Sequence, residues 1–355
     1  MAFLEFGNVK IKGITAVVPK NIKKTADLPF FAPGEGERVA ELTQVKEARI
    51  VEDGTCASDL CCAAAEKMIT ELNWEKSEID ALFFVSQARD YLIPQTSSIL
   101  QDRLGLSEEC IVMDFPFACQ GYIYALSIVG SMMSNGTIKK ALLLVGETNS
   151  TFVSHFDKTA WPLHGDAGTA TALEYDETAS QMQFHFGGDG STHKYVYVPA
   201  GGARQPITEK ELEMQEPAPG QKYNMTNCIM DGVNVFVVAI SKTPKSAKKL
   251  IEHYNIDLNK IDYLLLHQAN NLIDEKIIKK LKYDAEKVPM SLKKFGNTSA
   301  CSIPLNIVSE IREDLKDKRV DTVMSAIGAG LCWGSAHIEL DHVVCPEIVE
   351  YEKND

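Results

Sequence analysis

The sequence has fewer basic than acidic residues and no long apolar run. Its 36 Lys and Arg against 49 Asp and Glu leave a formal charge of −13, whereas a phosphate-binding surface needs concentrated cations. The longest apolar candidate, residues 122–133, is shorter than the roughly 18 to 20 residues that a membrane-spanning helix requires. We therefore predict neither nucleic-acid binding nor a membrane span.

The sequence also shows neither the pattern expected of a secretory leader nor that of a disulfide framework. Residues 1–7 have neither the basic start nor the apolar run of a signal peptide. The nine cysteines are odd in number and scattered, unlike the dense, even sets of secreted domains. Cys56, Cys61 and Cys62 lie in a stretch of small residues without a matching CxxC or His pair, so we interpret them as packing residues and expect no metal site. These features predict a cytoplasmic protein with free thiols.

What the chain does have is a composition typical of a folded protein. Apolar residues make up 45% and charged residues 24% of 355 positions, which excludes intrinsic disorder. A chain of this length forms two domain-sized units or one large pseudo-duplicated fold.

A degenerate internal repeat favours the duplicated fold. Apolar runs of strand length occur at 79–88 and 261–270, and each follows an amphipathic helical stretch, at 59–72 and 241–254 respectively. Helices alternating with fully apolar strands are typical of buried, largely parallel sheets covered by helices.

The repeat continues beyond these strands. Residues Ala118-Cys119 open an apolar helix that is followed by a strand at 141–145. Residues Ala300-Cys301 open a helix through 315, followed by a strand at 322–326. We therefore predict an α/β fold with an N-terminal half (1–182), a C-terminal half (183–345) and a tail (346–355). Residues 199–224 are polar and rich in Gly, Pro and Glu, which indicates a long loop or insertion.

Cys119 is the first candidate for chemistry. It lies between a short strand and the helix that follows, and a thiol at a helix N-terminus is expected to have a lowered pKa because the positive end of the helix dipole stabilises thiolate. A buried core thiol is the alternative, since cysteine is among the most buried residue types.

Three further segments place polar groups at strand ends or turns. His267 directly follows the apolar strand at 263–266, where open α/β folds position catalytic side chains, although a capping histidine fits equally. Asn297 lies in a small polar turn and could be an N-cap. The loop at 325–335 has closely spaced glycines, which allow either backbone N–H donation to an oxyanion or tight sheet packing.

Together these segments closely resemble one family. The motifs are Ala-Cys-Gln-Gly at 118–121, His-Gln-Ala-Asn at 267–270, Gly-Asn-Thr-Ser-Ala at 296–300, and Gly-Ala-Gly at 328–330 with Trp-Gly-Ser at 333–335. In order and spacing they resemble β-ketoacyl-acyl carrier protein synthase III, a thiolase-fold condensing enzyme. The resemblance implies a five-layered αβαβα fold made of two pseudo-twofold-related halves.

The resemblance also implies roles for residues. Cys119 would be the acyl-accepting nucleophile, His267 and Asn297 would complete a Cys-His-Asn set, and the backbone N–H groups of Cys119 and Gly330 would form the oxyanion hole. Family members are homodimers in which a partner side chain helps to close the acyl pocket, and Ile93 occupies that position here.

We also expect Phe117 and Asn270 to line the substrate pocket and Lys276, Lys279 and Lys280 to dock an acidic carrier protein. A solvated lysine face is an equally ordinary interpretation of that helix.

The implied reaction joins two thioesters. An acyl-coenzyme A or acyl-carrier protein donor transfers its acyl group to Cys119, and decarboxylation of malonyl-carrier protein or malonyl-coenzyme A supplies the carbon nucleophile. The product is a β-ketoacyl thioester, formed in the initiation of fatty acid synthesis or in a related secondary pathway. No cofactor is expected.

The chain departs from the family near the coenzyme A entrance. Arg38 stands where the family usually has Trp, Leu42 where it has Arg, and Leu272 where an Arg often follows the His-Gln-Ala-Asn motif.

Other functions remain open at this stage. A hydroxymethylglutaryl-coenzyme A synthase or another thiolase-fold acyltransferase would have Glu or a second cysteine where Asn297 stands, and Glu147 is the only signal in that direction. A papain-type hydrolase should show its own signature around the cysteine, and a non-condensing carrier-binding subunit should have lost the nucleophile.

Overall fold

The computed structural model describes residues 2–316 and 318–353. Its strands are, in chain order, β1 (Ala2–Phe6), β2 (Val9–Pro19), β3 (Ile22–Lys24), β4 (Glu47–Arg49), β5 (Ala81–Val85), β6 (Ile111–Phe115), β7 (Lys140–Thr148), β8 (Asp166–Tyr175), β9 (Met182–Gly188), β10 (Val196–Tyr197), β11 (Gln215–Ala218), β12 (Gln221–Tyr223), β13 (Ile229–Met230), β14 (Tyr263–Leu266), β15 (Arg319–Gly328), β16 (Cys332–Asp341) and β17 (Val349–Tyr351). Its α-helices are α1 (Glu35–Thr43), α2 (Ala57–Leu72), α3 (Thr96–Arg103), α4 (Gly121–Met133), α5 (Gly232–Tyr254), α6 (Asn271–Leu281), α7 (Leu292–Phe295) and α8 (Ser302–Asn306).

Two large sheets repeat one pattern of strand directions. The first has the order β17-β2-β8-β7-β5-β6 and the second the order β1-β9-β16-β15-β14. In the first sheet β2 pairs antiparallel with β8, β8 antiparallel with β7, and β7 parallel with β5. In the second, β9, β16, β15 and β14 pair in the same succession of directions. This correspondence is what the sequence repeat predicted.

The sheets and helices stack in five layers. Helix α4 and the helical segment beginning at α8 lie between the sheets, where their apolar side chains share one core with β7 and β15. Helices α2 and α3 cover the outer face of the first sheet, and α5 and α6 cover the outer face of the second. Because both faces of each sheet are covered, central strands such as β5 are buried along their whole length.

The predicted elements are present, with different bounds at several ends. The strand expected at 263–266 coincides with β14. Helix α5 begins at Gly232, nine residues before the predicted start at 241, and continues through Pro244. The helix expected from 300 to 315 consists of a 3₁₀ turn (Ser299–Cys301), α8 and a π-helical turn (Ile307–Ile311). The predicted loop at 199–224 contains the small β11–β12 hairpin.

The two sheets exchange their terminal strands. β1, from the start of the chain, pairs antiparallel with β9 in the second sheet. β17, from the predicted tail, pairs parallel with β2 in the first sheet. A division of the chain at 182/183 therefore describes the order of the motifs, while each sheet includes one strand from the opposite end of the sequence.

None of the helices within the described residues is both long enough and apolar enough to cross a membrane.

Candidate active site

A cavity of about 580 Å³ lies where the two halves meet. Cys119, His267 and Asn297 all line it, although they are far apart in the sequence. β14 and β15 are parallel, so the residues that follow them, His267 and Ala329, emerge at the same sheet edge. The structure thus brings together the three side chains that the sequence singled out.

Cys119 lies just before the central helix α4, which begins at Gly121 with Gln120 as its N-cap. The residue is partly accessible and faces the cavity. Its Sγ is 3.6 Å from the Ser299 Oγ. The nucleophile candidate from the N-terminal half therefore contacts a hydroxyl from the C-terminal half.

The expectation of a lowered thiol pKa is wrong. Burial raises the pKa of Cys119 to about 11, and the charge of Glu147 adds to that rise, whereas the hydrogen bond with Ser299 lowers the pKa. Removal of the sulfur from water raises the thiol pKa more than the helix N-terminus lowers it, since desolvation disfavours the charged form. A raised pKa favours the protonated thiol at neutral pH.

His267 directly follows the last residue of β14 and lines the cavity. Its backbone N–H donates to the Ser325 carbonyl of β15 at 2.9 Å, and its Nδ1 is 2.7 Å from the Ser302 Oγ. Burial lowers the pKa of His267 to about 3, and the neighbouring His164 lowers it further. The ring is therefore neutral at physiological pH.

Asn297 is held by backbone bonds to the opposite half. Its N–H donates to the Leu163 carbonyl at 2.8 Å, and its carbonyl accepts the Gly165 N–H at 3.0 Å. Its side-chain Oδ1 accepts the N–H of Ser299 at 2.8 Å. This bond fixes the carboxamide so that its NH₂ group is the end available to a substrate. Gly296 is required here, because a Cβ at its position would lie 2.6 Å from the Leu163 carbonyl oxygen.

The glycine loop packs tightly against Cys119. A Cβ at Gly328 would lie 2.8 Å from the Cys119 backbone nitrogen and 2.0 Å from the Gln120 Oε1, so only glycine fits. Gly328 and Ala329 belong to the cavity wall. Gly330, the predicted oxyanion donor, lies between the wall residues Ala329 and Leu331, and a Cβ at its position would lie 3.0 Å from the Cys332 Sγ.

Of the other predicted pocket residues, Asn270 lines the cavity, whereas Phe117 and Ile93 do not. Asn270 lies in the cavity wall, and its side chain accepts the Ile273 N–H at 3.1 Å as the N-cap of α6. Phe117 is outside that wall and stacks on Phe115, with ring centroids 5.6 Å apart. Ile93 is 87% exposed and is not among the described residues that line the cavity of its own chain.

The mouth of the cavity is apolar. Val233, Val237 and Leu272 line it and are themselves exposed to solvent. Among the described residues of the wall there is no Lys, Arg, Asp or Glu.

The three predicted docking lysines, Lys276, Lys279 and Lys280, are exposed on the adjoining helix α6. The Lys280 Nζ also donates to the Ile240 carbonyl at 2.9 Å, which ties α6 to α5. Nowhere in residues 2–316 and 318–353 do three His, Cys, Asp or Glu side chains group in a way suited to a metal ion.

Sequence reasoning missed three residues around the site. Ser299 contacts the thiol, Glu147 lies behind Ser299, and His164 lines the cavity beside His267. His164 lies two residues before the buried strand β8, a position that could have marked it. Glu147 had been noted only as a signal for a different enzyme, because nothing in the sequence shows that β7 ends next to Ser299.

The layered fold and this cavity between its halves are those of the thiolase-fold condensing enzymes. Residues 113–190 match the family model of 3-oxoacyl-[acyl-carrier-protein (ACP)] synthase III, and residues 251–340 match that of its C-terminal part.

Similar proteins agree with the family models. The β-ketoacyl-[acyl-carrier-protein] synthase III of Aliarcobacter butzleri is 30% identical over 92% of this chain and 96% of its own length. The crystal structure of a 3-oxoacyl-(acyl-carrier protein) synthase from Burkholderia xenovorans is 31% identical, covers 99% of both chains and superposes with a TM-score of 0.93. The synthase III structure from Pseudomonas aeruginosa, at 24% identity, covers 94% of this chain and 98% of its own, with a TM-score of 0.81, and shows the same fold.

The chain belongs to the 3-oxoacyl-ACP synthase III family. It is a condensing acyltransferase with the thiolase fold, as the resemblance implied. The family acts on acyl thioesters of coenzyme A or acyl carrier protein. The hydroxymethylglutaryl-coenzyme A synthase and papain-type alternatives are thereby set aside.

Proposed function

We propose that Cys119 accepts an acyl group from a thioester and that the acyl-enzyme then condenses with a malonyl thioester to give a β-ketoacyl product. The observation that carries this proposal is the convergence of Cys119, His267 and Asn297 on one cavity. A Claisen condensation needs a sulfur to hold the acyl group and polar donors to stabilise an enolate within the same space.

The first step is acyl transfer. The Cys119 sulfur attacks the thioester carbon, the bond from that carbon to the donor sulfur breaks, and the thiol proton ends on the departing thiolate. Negative charge that develops on the carbonyl oxygen is met by the Cys119 N–H and by a second backbone donor from the glycine loop, Gly330 in the family-based assignment. Removing one such donor typically costs about 3 to 4 kcal/mol of transition-state stabilisation.

The second step is decarboxylation of the malonyl thioester. Loss of CO₂ leaves an enolate on the thioester oxygen, which the neutral ring of His267 and the Asn297 NH₂ stabilise by hydrogen bonds. A neutral ring suits this task because, unlike a cation, it does not hold the malonyl carboxylate as an ion pair. The enolate carbon then attacks acyl-Cys119, the bond from the acyl carbon to the Cys119 sulfur breaks, and the departing thiolate takes up a proton from solvent to restore the thiol.

The acyl donor reaches the cavity through the apolar mouth. The wall residues within the described part of the chain offer no Lys or Arg to the phosphates of coenzyme A, and Leu272 stands where the family often has Arg. The exposed lysines of α6 instead offer positive charge to an acidic carrier protein. We therefore favour carrier-bound thioesters for both substrates, with Lys276, Lys279 and Lys280 at the docking surface.

The active unit is a homodimer in this proposal. β6 is an edge strand of the first sheet, and its Ile111 and Met113 are exposed apolar side chains, a combination that favours pairing with a second copy. Ile93 and Leu92, on the loop before α3, are exposed by 87% and 75%. In the dimer Ile93 would close the partner's acyl pocket. We place the enzyme in the cytoplasm, where its nine free thiols stay reduced.

Intact mass after incubation with acyl donors tests the proposal. Wild-type protein should gain one acyl mass, and Cys119→Ala should gain none. Acyl-carrier protein should label faster than the matching acyl-coenzyme A. Labelling of Cys119→Ala would refute the nucleophile assignment, and faster labelling by coenzyme A would refute the preferred donor.

A further inference from the structure

A buried carboxyl group lies directly behind the nucleophile. Glu147, on β7, has no exposed surface. Its two carboxyl oxygens accept the Gln87 N–H at 3.4 and 3.3 Å, and its Oε1 is 3.5 Å from the Ser299 Oγ. Isolated acidic groups are almost never fully buried without a specific reason, so Glu147 calls for a functional explanation.

Ser299 links this carboxyl to the thiol. Its Oγ is 3.6 Å from the Cys119 Sγ and 3.5 Å from the Glu147 Oε1. A hydroxyl can accept one proton while it donates another, so the contacts form a continuous path from sulfur to carboxylate.

The backbone holds Ser299 in a conformation that serine rarely adopts. Its φ is 52°, in the left-handed region, and its N–H is held by the Asn297 Oδ1 at 2.8 Å. Rare backbone conformations persist where surrounding contacts over-determine them, and they cluster at functional sites. The hydroxyl is therefore fixed in place between the thiol and the carboxyl.

The pKa values of Cys119, Glu147 and His267 favour transfer of the thiol proton towards Glu147. Burial raises the pKa of Glu147 to about 8, much closer to the thiol pKa of about 11 than the His267 pKa of about 3 is. A stronger base takes the thiol proton at a lower free-energy cost. The other titratable groups that face the carboxyl are Asp166 of β8, Cys61 of α2, Cys228, and Cys301 near α8.

We propose that Glu147 is a positioning residue that acts through Ser299 to take the proton of Cys119 during acyl transfer. As the sulfur bonds to the acyl carbon, its S–H bond breaks and the proton passes to the Ser299 Oγ, whose own proton moves to the Glu147 carboxylate. When the donor's C–S bond breaks, the departing thiolate takes a proton from the Ser299 Oγ, and Glu147 returns its proton to Ser299. No group is oxidised or reduced. This inference rests on the proposed acyl transfer to Cys119.

The test compares two reactions of the same sulfur in Glu147→Gln. Single-turnover acylation, followed by intact mass from pH 6 to 10, should fall about 100-fold at pH 8 and lose the inflection that the carboxyl causes near that pH. Alkylation by iodoacetamide, which follows the equilibrium amount of thiolate, should be unchanged or faster, because removal of the negative charge lowers the thiol pKa. Opposite effects on the two reactions distinguish a proton acceptor from a packing residue.

Two further variants serve as controls for Glu147→Gln. Ser299→Ala interrupts the path and should give the pH profile of Glu147→Gln, even if the latter folds poorly. Asp166→Asn removes another buried carboxyl, one held by Ser150 and Val51, and should keep the inflection, moved slightly to lower pH because Asp166 raises the Glu147 pKa.

A wild-type pH profile in Glu147→Gln, or acylation that rises together with alkylation, would overturn the relay while leaving the acyl transfer intact. Acylation of Cys119→Ala would instead overturn the proposed function itself.

Discussion

The two halves of the molecule each have an Ala-Cys pair at the start of a central helical segment, and the two sulfurs have different surroundings. The Cys119 Sγ lies at the cavity and contacts the Ser299 Oγ. The Cys301 Sγ is fully buried and donates to the Val145 and Ala167 carbonyls at 3.1 and 3.2 Å. Burial raises the pKa of Cys301 well above its usual value.

What separates the two thiols is access to a proton acceptor and a substrate. Cys301 is bonded to backbone carbonyls, which accept hydrogen bonds and cannot take up a proton at neutral pH. Cys119 instead has a hydroxyl linked to a carboxyl on one side and an open cavity on the other. Similar local sequence therefore gives a structural thiol in one half and a candidate nucleophile in the other.

The largest effect predicted from this comparison is the loss of malonyl decarboxylation when a polar side chain of the C-terminal half, His267 or Asn297, is removed. His267→Ala should still accept an acyl group on Cys119 at the wild-type rate, because the sulfur and its proton path remain. Asn297→Ala should also accept it, but more slowly, because it removes the Oδ1 that holds the Ser299 N–H. Each should lose at least about 100-fold of malonyl decarboxylation, since each removes an enolate donor. Release of CO₂ from a malonyl thioester, measured beside the acyl-enzyme mass, checks this. Full condensation in either variant would remove that side chain from the mechanism.

The halves should also contribute opposite pH dependences to stability. The pKa of His267 is lowered from 6.5 to about 3, so the unfolded chain binds the extra proton and stability falls as the pH drops from about 6.5 towards 3. The pKa of Glu147 is raised from 4.5 to about 8, so the folded chain retains the proton and stability falls as the pH rises from about 4.5 to 8. Each slope is at most about 1.4 kcal/mol per pH unit.

Urea unfolding at several pH values measures these slopes. His267→Gln should flatten the acidic side and Glu147→Gln the other side. A variant that leaves its side of the profile unchanged would show that its group keeps an ordinary pKa in the folded protein.

The smallest expected effect concerns the structural thiol. Cys301→Ala should acylate at the wild-type rate within about twofold, because Cys301 does not line the cavity. It should lose about 1 to 2 kcal/mol of unfolding free energy, since a buried sulfur and its contacts are removed. Thermal unfolding and the acylation rate together check this, and a large loss of acylation at unchanged stability would contradict the division of roles between the two cysteines.

Local patterns predicted much of the fold. The apolar run at 263–266 is β14, and the helical periodicity at 59–72 falls within α2. The start of α5 was misplaced, because residues 235–240 are all apolar and a continuous apolar run does not show helical periodicity. The exchange of β1 and β17 between the sheets depends on pairing partners more than 170 residues away, which short-range patterns do not reveal.

The sequence by itself determined the alternation of helices and buried strands and the family, because periodicity and short motifs are properties of neighbouring residues. It also singled out Cys119, His267 and Asn297 as candidates for the reaction. Only the tertiary structure decided that Cys119 is a protonated thiol, that His267 is neutral, and that Glu147 reaches the sulfur through Ser299. Proton affinity depends on burial and on contacts between β7, α4 and the turn at Ser299, which are brought together only when the two halves pack.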